Sequence, residues 1–297
     1  MSHEISFKRC EAVSSKVTAN EKSIAVSGEL KEQKMNIARK IIEAHKLKFG
    51  SLPPLQQCSI SGSALFNADC MDILPLIPDK SVQLILADLP YGTTQCKWDS
   101  VLPLDRLWAE YERIITDKGA MIFTASQPFT TILTASNMNH FKYSLVWVKT
   151  KATGHLDAKK KPMKKHEDIL VFCKNGFPNY YPQGLVDGEF KTGRNVNMEG
   201  RVYRQYKNHE ISTKGNYPKS VLEIPNPSGK GNPHPTAKPV DLMKWFIEQY
   251  SLEDDMVLDN TMGSGTTCLA AKELNRKFIG IEKEPKYYEI ACQRCGF

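Results

Sequence analysis

The 297-residue chain contains no run of about 18 apolar residues, so a membrane-spanning helix is not expected. Its opening decapeptide, MSHEISFKRC, has no apolar stretch of the kind a secretory signal requires. Internal repeats and long low-complexity tracts are missing too. Cysteine is sparse and scattered: Cys10, Cys58, Cys70, Cys96, Cys173, Cys268, Cys292 and Cys295 show no spacing that demands a disulfide framework. Without a signal segment, that usage points to a reducing cytoplasm. The lone C-x-x-C of Cys292 and Cys295 lacks the second pair that would complete four zinc ligands, so these read as ordinary thiols. Wholesale disorder is excluded as well, because 41% of residues are apolar and only 25% charged.

What is present begins with charge. The net +7 is unevenly spread: residues 1–60 carry +4, residues 149–230 carry +8, and the remainder carries −5. A localised positive field attracts a polyanion, although a solvated lysine-rich loop gives the same pattern.

The apolar spacing yields a list of elements. Ile37, Ile41, Ile42, His45 and Phe49 share one face of a helix over residues 35–49, while residues 1–33 show no sustained period and read as poorly ordered. Strands are expected at 63–67, 82–87, 119–124, 143–149, 168–173, 256–258 and 278–282. Helices are expected at 104–115, 129–138, 240–250, 269–274 and 285–292, with a short helix or turn at 72–76. The nearly continuous apolar run Val82 to Ala87 suits a parallel strand buried on both faces. Strands alternating with helices imply an open α/β sheet. The rhythm fails from about residue 150 to 232, apart from the strand at 168–173. Four regions follow: a partly disordered N-terminal extension with one helix (1–60), a first α/β half (61–173), an irregular basic and aromatic insertion (174–232) and a second α/β half (233–297).

Two strand ends carry chemistry. After 256–258 comes Asp259-Asn260-Thr261-Met262-Gly263-Ser264-Gly265-Thr266-Thr267, whose glycines allow a tight turn and close approach of a nucleotide-type ligand. Glu282 ends the next strand, 19 residues beyond Gly263, where a carboxylate can bond a ribose hydroxyl. An adenosine-type cofactor fits this arrangement better than a tight turn with two surface acids. A dinucleotide dehydrogenase fits poorly, because the third glycine is missing. After 82–87 comes Asp88-Leu89-Pro90-Tyr91. Asp88 and a backbone carbonyl can accept both protons of an exocyclic amine, and Tyr91 can stack on its ring; an exposed turn is the plainer reading of four residues.

Asp88-Leu89-Pro90-Tyr91 resembles the Asp/Asn/Ser-Pro-Pro-Tyr motif of amino-methylating DNA methyltransferases, and residues 259–267 resemble their Asp-Pro-Phe-x-Gly-Ser-Gly-Thr-Thr cofactor motif. With the catalytic motif first and the cofactor motif last, the order is similar to the permuted β group. Asn67-Ala68-Asp69-Cys70, Trp147-Val148-Lys149, His166-Glu167 with Ile169 to Phe172, and His234-Pro235-Thr236-Ala237-Lys238-Pro239 resemble further segments of that family in the same order. The resemblance spans about residues 63–295. It implies a Rossmann-like, seven-stranded, mostly parallel methyltransferase sheet with an inserted target-recognition region. It also implies S-adenosyl-L-methionine as cofactor, held by Asp69, Asp88, His234, Thr236, Lys238, Asp259, Thr261, Gly263, Ser264, Gly265, Thr266, Thr267 and Glu282. Asp88, Leu89, Pro90 and Tyr91 would be catalytic.

The implied reaction is methyl transfer to the exocyclic N6 of adenine in double-stranded DNA (EC 2.1.1.72), with the target base flipped out. Asp rather than Ser at position 88 favours adenine over cytosine N4 as a family tendency. RNA or a protein amide is the other alternative. Lys159, Lys160, Lys161, Lys164 and Lys165 would neutralise phosphates. Arg194, Arg201, Arg204 and Lys207, interleaved with Tyr203, Tyr206 and Tyr217, would read the target, since arginine can bond guanine bidentately. His155 and His166 read as hydrogen-bonding side chains, not as acid–base groups. A cytoplasmic enzyme in a bacterial host follows, solitary or paired with a cognate restriction endonuclease. A homodimer is open, since no apolar stripe marks one. Two departures stand out: Leu89 replaces the first proline of the catalytic motif, and Asn260-Thr261-Met262 replaces Pro-Phe-x.

Overall fold

The computed structural model describes residues 37–49, 62–92, 100–190, 212–226 and 237–297. An eight-stranded sheet forms the centre. Its strands are β1 (Ala64–Asn67), β2 (Val82–Ala87), β3 (Ile115–Ala125), β4 (Phe141–Thr153), β5 (Lys164–Phe172), β8 (Val221–Glu223), β9 (Met256–Asp259) and β10 (Lys277–Glu282). The spatial order is β1-β10-β9-β2-β3-β5-β4-β8. Only β5 runs against its neighbours. The seven expected strands are all there. The eighth, β8, comes from the stretch read as irregular and adds to the edge beside β4 with Val146 opposite Val221. Three residues with one buried side chain are too short to show a period. The same stretch also forms a two-stranded ribbon, β6 (Val186–Phe190) with β7 (Ser212–Gly215).

The helices are α1 (Ile37–Phe49), α2 (Cys70–Ile73), α3 (Leu104–Ile114), α4 (Phe129–Ser136), α5 (Val240–Tyr250), α6 (Thr266–Glu273) and α7 (Pro285–Cys295). Ile37, Ile41 and Ile42 of α1 are buried. The side chains of His45 and Phe49, and all of residues 1–36, lie outside the described residues.

Alternation along β2 explains its unbroken apolar run. Ile85 and Ala87 face a core shared with Ile41, Leu107, Trp108, Tyr111 and Phe123, whereas Leu84 and Leu86 face a second core shared with Phe246, Ile247, Phe278 and Tyr288. A sheet covered on both sides leaves no polar face. Each such side chain contributes about 1.5–3 kcal/mol by leaving water.

The topology places the site. From β2 the chain moves outward to β3, whereas from β9 it moves the other way to β10, which lies beside β1. Neighbours β2 and β9 therefore flank the point where strand order reverses, and their carboxyl ends open onto one crevice. A buried bond braces its floor: the Tyr111 hydroxyl on α3 donates to Asn260 Oδ1 at 2.5 Å. Tyr111→Phe leaves that acceptor dry. A loss of about 1–3 kcal/mol is expected in a urea unfolding curve.

Candidate active site

Asp88 follows β2 directly, and every side-chain contact it makes comes from a different element. Its Oδ1 accepts the Tyr91 hydroxyl at 2.8 Å and the Thr124 hydroxyl of β3. Its Oδ2 is paired with Lys238, just ahead of α5. Lys238 also lies 3.6 Å from Glu167 Oε2 on β5, and the other oxygen of Glu167 is paired with Lys149 on β4. Burial works against the Lys238 ammonium, but Asp88 and Glu167 outweigh it and raise its pKa. Tyr91 stacks on Phe129 with ring centres 5.2 Å apart, so Phe129 braces one face of that ring. Burial pushes the Tyr91 phenol well above its usual range, so it acts as a donor.

The loop after β9 closes on the same place. The Thr261 hydroxyl donates to the backbone carbonyl of Asp88 at 3.1 Å. This is where Asn260-Thr261-Met262 departs from the family motif, and all three residues have assignments. Asn260 receives Tyr111, Thr261 ties the two loops, and Met262 is buried with its sulfur 3.9 Å from Cys268. Leu89 is likewise an apolar anchor, 2% exposed in the first core.

Gly265 stands at φ +76° ahead of α6, and a Cβ there would meet Ala291 Cβ of α7 at 2.8 Å. Glu282, at the end of β10, accepts the N–H of Gly263 at 2.9 Å and that of Glu284 at 2.8 Å. Each oxygen keeps a free lone pair for a ribose hydroxyl. Burial raises the Glu282 pKa against those two N–H groups. Asp69, one strand over, caps α2 through Met71 N at 3.0 Å and pairs with Lys283 at 3.0 Å. Burial alone would raise its pKa, but Met71 N–H and Lys283 together hold it low. Asp259 is the opposite case. Burial pushes it up to about 7 against hydrogen bonds from Thr267 and the Thr261 N–H.

Several residues proposed from sequence have partners within the chain. Ser264 and Thr266 turn to Arg294 of α7, which donates to Ser264 O at 2.6 Å, Ser264 Oγ at 3.0 Å and Thr266 Oγ1 at 3.2 Å. Their hydroxyls pin α7, because a half-buried guanidinium needs acceptors. Lys238 points to Asp88 and Glu167 instead of the glycine loop. Lys164 points inward, donating to Ser126, and burial lowers its pKa, so it is not a free phosphate contact. Lys159, Lys160, Lys161 and Lys165 are exposed on or beside the turn joining β4 to β5, as are His155 and His166. His234, Thr236, Arg194, Arg201, Arg204 and Lys207, with Tyr203 and Tyr206, lie outside the described residues. Cys292 and Cys295 are buried on α7, and no cluster of three metal-type side chains occurs among the described residues.

Sequence reasoning missed Thr124, Phe129 and Tyr111 altogether and gave Glu167 no role. The one available signal was a charged residue leading into the apolar run Ile169 to Phe172.

A donor-lined carboxylate and a glycine-turned nucleotide loop facing each other across a strand switch define a Rossmann-like transferase site. The chain belongs to the DNA methylase family, whose model matches residues 82–293. It is 29% identical over 258 residues to Type II methyltransferase M1.MboII of Moraxella bovis, covering 76% of this chain and 94% of that protein. It is 28% identical over 248 residues to the DNA adenine methyltransferase YhdJ of Escherichia coli (strain K12), covering 77% and 81%. Among solved structures, the M1.HpyAVI–SAM complex superimposes with a TM-score of 0.55 at 25% identity, covering 78% of this chain and 98% of that one. The PvuII cytosine-N4-specific enzyme shares the fold, with a TM-score of 0.57 at 16% identity over 78% and 86%. This is a permuted, S-adenosyl-L-methionine-dependent DNA methyltransferase.

The elevated Asp259 pKa has a sign. Below about pH 4 both folded and unfolded states hold the proton; between about 4 and 7 only the folded state does, so this group's stabilisation is lost as pH rises through 7. Asp259→Asn, which cannot ionise, gains stability relative to the parent by up to about 4 kcal/mol between pH 4 and pH 8, measured by urea unfolding at each pH.

Proposed function

We propose that the chain methylates the N6 amino group of adenine in duplex DNA at a specific sequence, with Asp88 and the Leu89 carbonyl accepting the two N–H bonds of the flipped-out base. The observation that carries this reading is the Thr261–Asp88 bond, which joins the amine pocket to the cofactor loop at 3.1 Å. Adenine is supported by Asp at position 88 and by the adenine specificity in the name of YhdJ. The Type II naming of M1.MboII supports a cytoplasmic modification enzyme alongside a cognate endonuclease; a homodimer is part of the same proposal.

The bound cofactor supplies an electrophilic methyl group on a sulfonium, already a good leaving group. The chain's residues do the rest. Gly263 and Gly265 let the backbone approach closely, Glu282 receives the ribose, and Asp69 receives the adenine end. Asp88 draws electron density onto a nitrogen whose lone pair is delocalised into the purine. With the donor held by Asp69, Glu282 and the glycine loop, Asp88 and the Leu89 carbonyl would align the amine nitrogen with the methyl carbon; the methyl would pass to nitrogen as the sulfonium left as a neutral thioether, and the surplus N–H proton would go to solvent. Alignment and preorganised dipoles supply the rate. Unstacking the base costs a few kcal/mol, and stacking on Tyr91 returns about 1–3 kcal/mol.

Phosphate contact falls to the β4–β5 turn. Strands β4 and β5 reach the carboxyl edge of the sheet at Lys149 and Glu167, so the lysine-bearing turn stands over the Asp88 pocket. Target reading is assigned to the basic, aromatic part of residues 174–232.

Methyl-labelled donor incubated with duplex DNA, RNA or protein should label DNA alone, on adenine N6 by single-molecule sequencing, and Asp88→Ala should cut kcat by at least about a hundredfold. Label on RNA alone defeats the proposal. Replacing Lys159, Lys160 and Lys161 with alanine should lower the slope of log affinity against log salt by about two to three. The rate at saturating DNA should be preserved.

A further inference from the structure

Both oxygens of Asp88 carry donors before any base arrives: Oδ1 two, from Tyr91 and Thr124, and Oδ2 one, from Lys238. Oδ1 is filled; Oδ2 keeps one lone pair, so an amine N–H arriving there shares that oxygen with an ammonium that draws its charge away. Tyr91 and Thr124 are neutral donors on fixed elements. Lys238 is different. Its Nζ sits between two carboxylates, bonded to Asp88 and 3.6 Å from Glu167 Oε2. Among the described residues that second oxygen is buried and has no partner at hydrogen-bond distance, while Glu167 Oε1 is held by Lys149. The side chains of Lys238 and Glu167 are only 8% and 10% exposed, so water does not readily substitute for either contact. A buried acceptor left open within reach of a buried donor is a vacant second position for that donor.

We propose that Lys238 is a latch with two seats and that Glu167 is a positioning residue for the methyl-transfer reaction. As the target amine enters, Nζ moves from Asp88 Oδ2 to Glu167 Oε2 and hands the freed oxygen to an amine N–H. This rests on the reading of Asp88 as the amine acceptor. Charge is conserved within the cluster, because two lysines, Lys149 and Lys238, face two carboxylates, Asp88 and Glu167, in either position. Only the length of one contact changes. Lys164, the other nearby ammonium, is engaged by Ser126 and does not compete for the open oxygen. Lys149 holds Glu167 from the far side and fixes where the open oxygen points.

The experiment is a double-mutant cycle on the full chain, with single-turnover methylation of duplex DNA. Glu167→Gln keeps the size and an acceptor for Lys149 but removes the charge that draws Lys238 away. Its kcat should fall about 10- to 100-fold, with the Kd for S-adenosyl-L-methionine within twofold of the parent. Lys238→Met, which leaves no latch, should lose less than Glu167→Gln. The double variant should be at least fivefold faster than Glu167→Gln alone. A merely structural role makes the two losses multiply. Parental kcat in Glu167→Gln, or a double variant no faster than Glu167→Gln, overturns the latch. Retained activity in Asp88→Ala instead overturns the assignment of the amine pocket, so the two failures are distinguishable. If Glu167→Gln does not bind the methyl donor, the comparison of Lys238→Met with its parent still decides: a loss of more than a hundredfold rejects a latch.

Discussion

The hydrogen bond from Thr261 to Asp88 joins a loop from each half of the chain at the proposed active site. The Thr261 hydroxyl and the Asp88 carbonyl come from positions 173 residues apart, yet meet at 3.1 Å. The contact exists because β9 inserts beside β2, although many elements separate them in the chain. A parallel sheet opens a crevice where adjacent strands lead away in opposite directions, and both loops emerge into it. If β9 paired elsewhere, the glycine loop and the amine pocket would each be a complete turn with nothing opposite.

Around that joint the protein keeps a balanced set of charges, three of them buried and Asp88 partly so. Asp88, Lys238, Glu167 and Lys149 come from the end of β2, the entry to α5, β5 and β4. Withdrawing such ions from water is costly, and these clusters add little to stability compared with apolar packing. Their value lies in orientation. A carboxylate held by the fixed donors Tyr91 and Thr124 is aimed before substrate arrives. The second carboxylate, Glu167, ties the hairpin that carries the exposed lysines to the catalytic pocket.

The departures from the family motifs show how local sequence and packing compensate. A leucine in place of the first proline is held by burial in the core instead of by a ring. Where an aromatic residue is expected in the cofactor loop, a threonine hydroxyl makes the link and an asparagine is braced from α3. Ser264 and Thr266 preserve the motif's letters but spend their hydroxyls on Arg294 of α7. A motif residue is therefore a statement about a backbone shape first, and about ligand contact only when its side chain is unoccupied.

Local pattern alone determined the seven expected strands and the helices between them, because a doubly covered sheet writes an apolar run such as Val82 to Ala87 directly into the chain. It also determined Asp88, Tyr91, Gly263, Gly265 and Glu282 as strand-end residues, since those positions follow from where each run stops. The short strand Val221–Glu223 was invisible, because three residues hold no period and its pairing with β4 is decided by the neighbour. The partners of Asp88 were equally out of reach. Thr124, Lys238 and Glu167 meet it only through the order in which strands lie side by side, and that order is a property of the packed sheet, not of any single segment. The direction in which these lysines point was settled the same way: Lys164 reaches inward because Ser126, just past β3, lies beside it, whereas Lys165 is exposed.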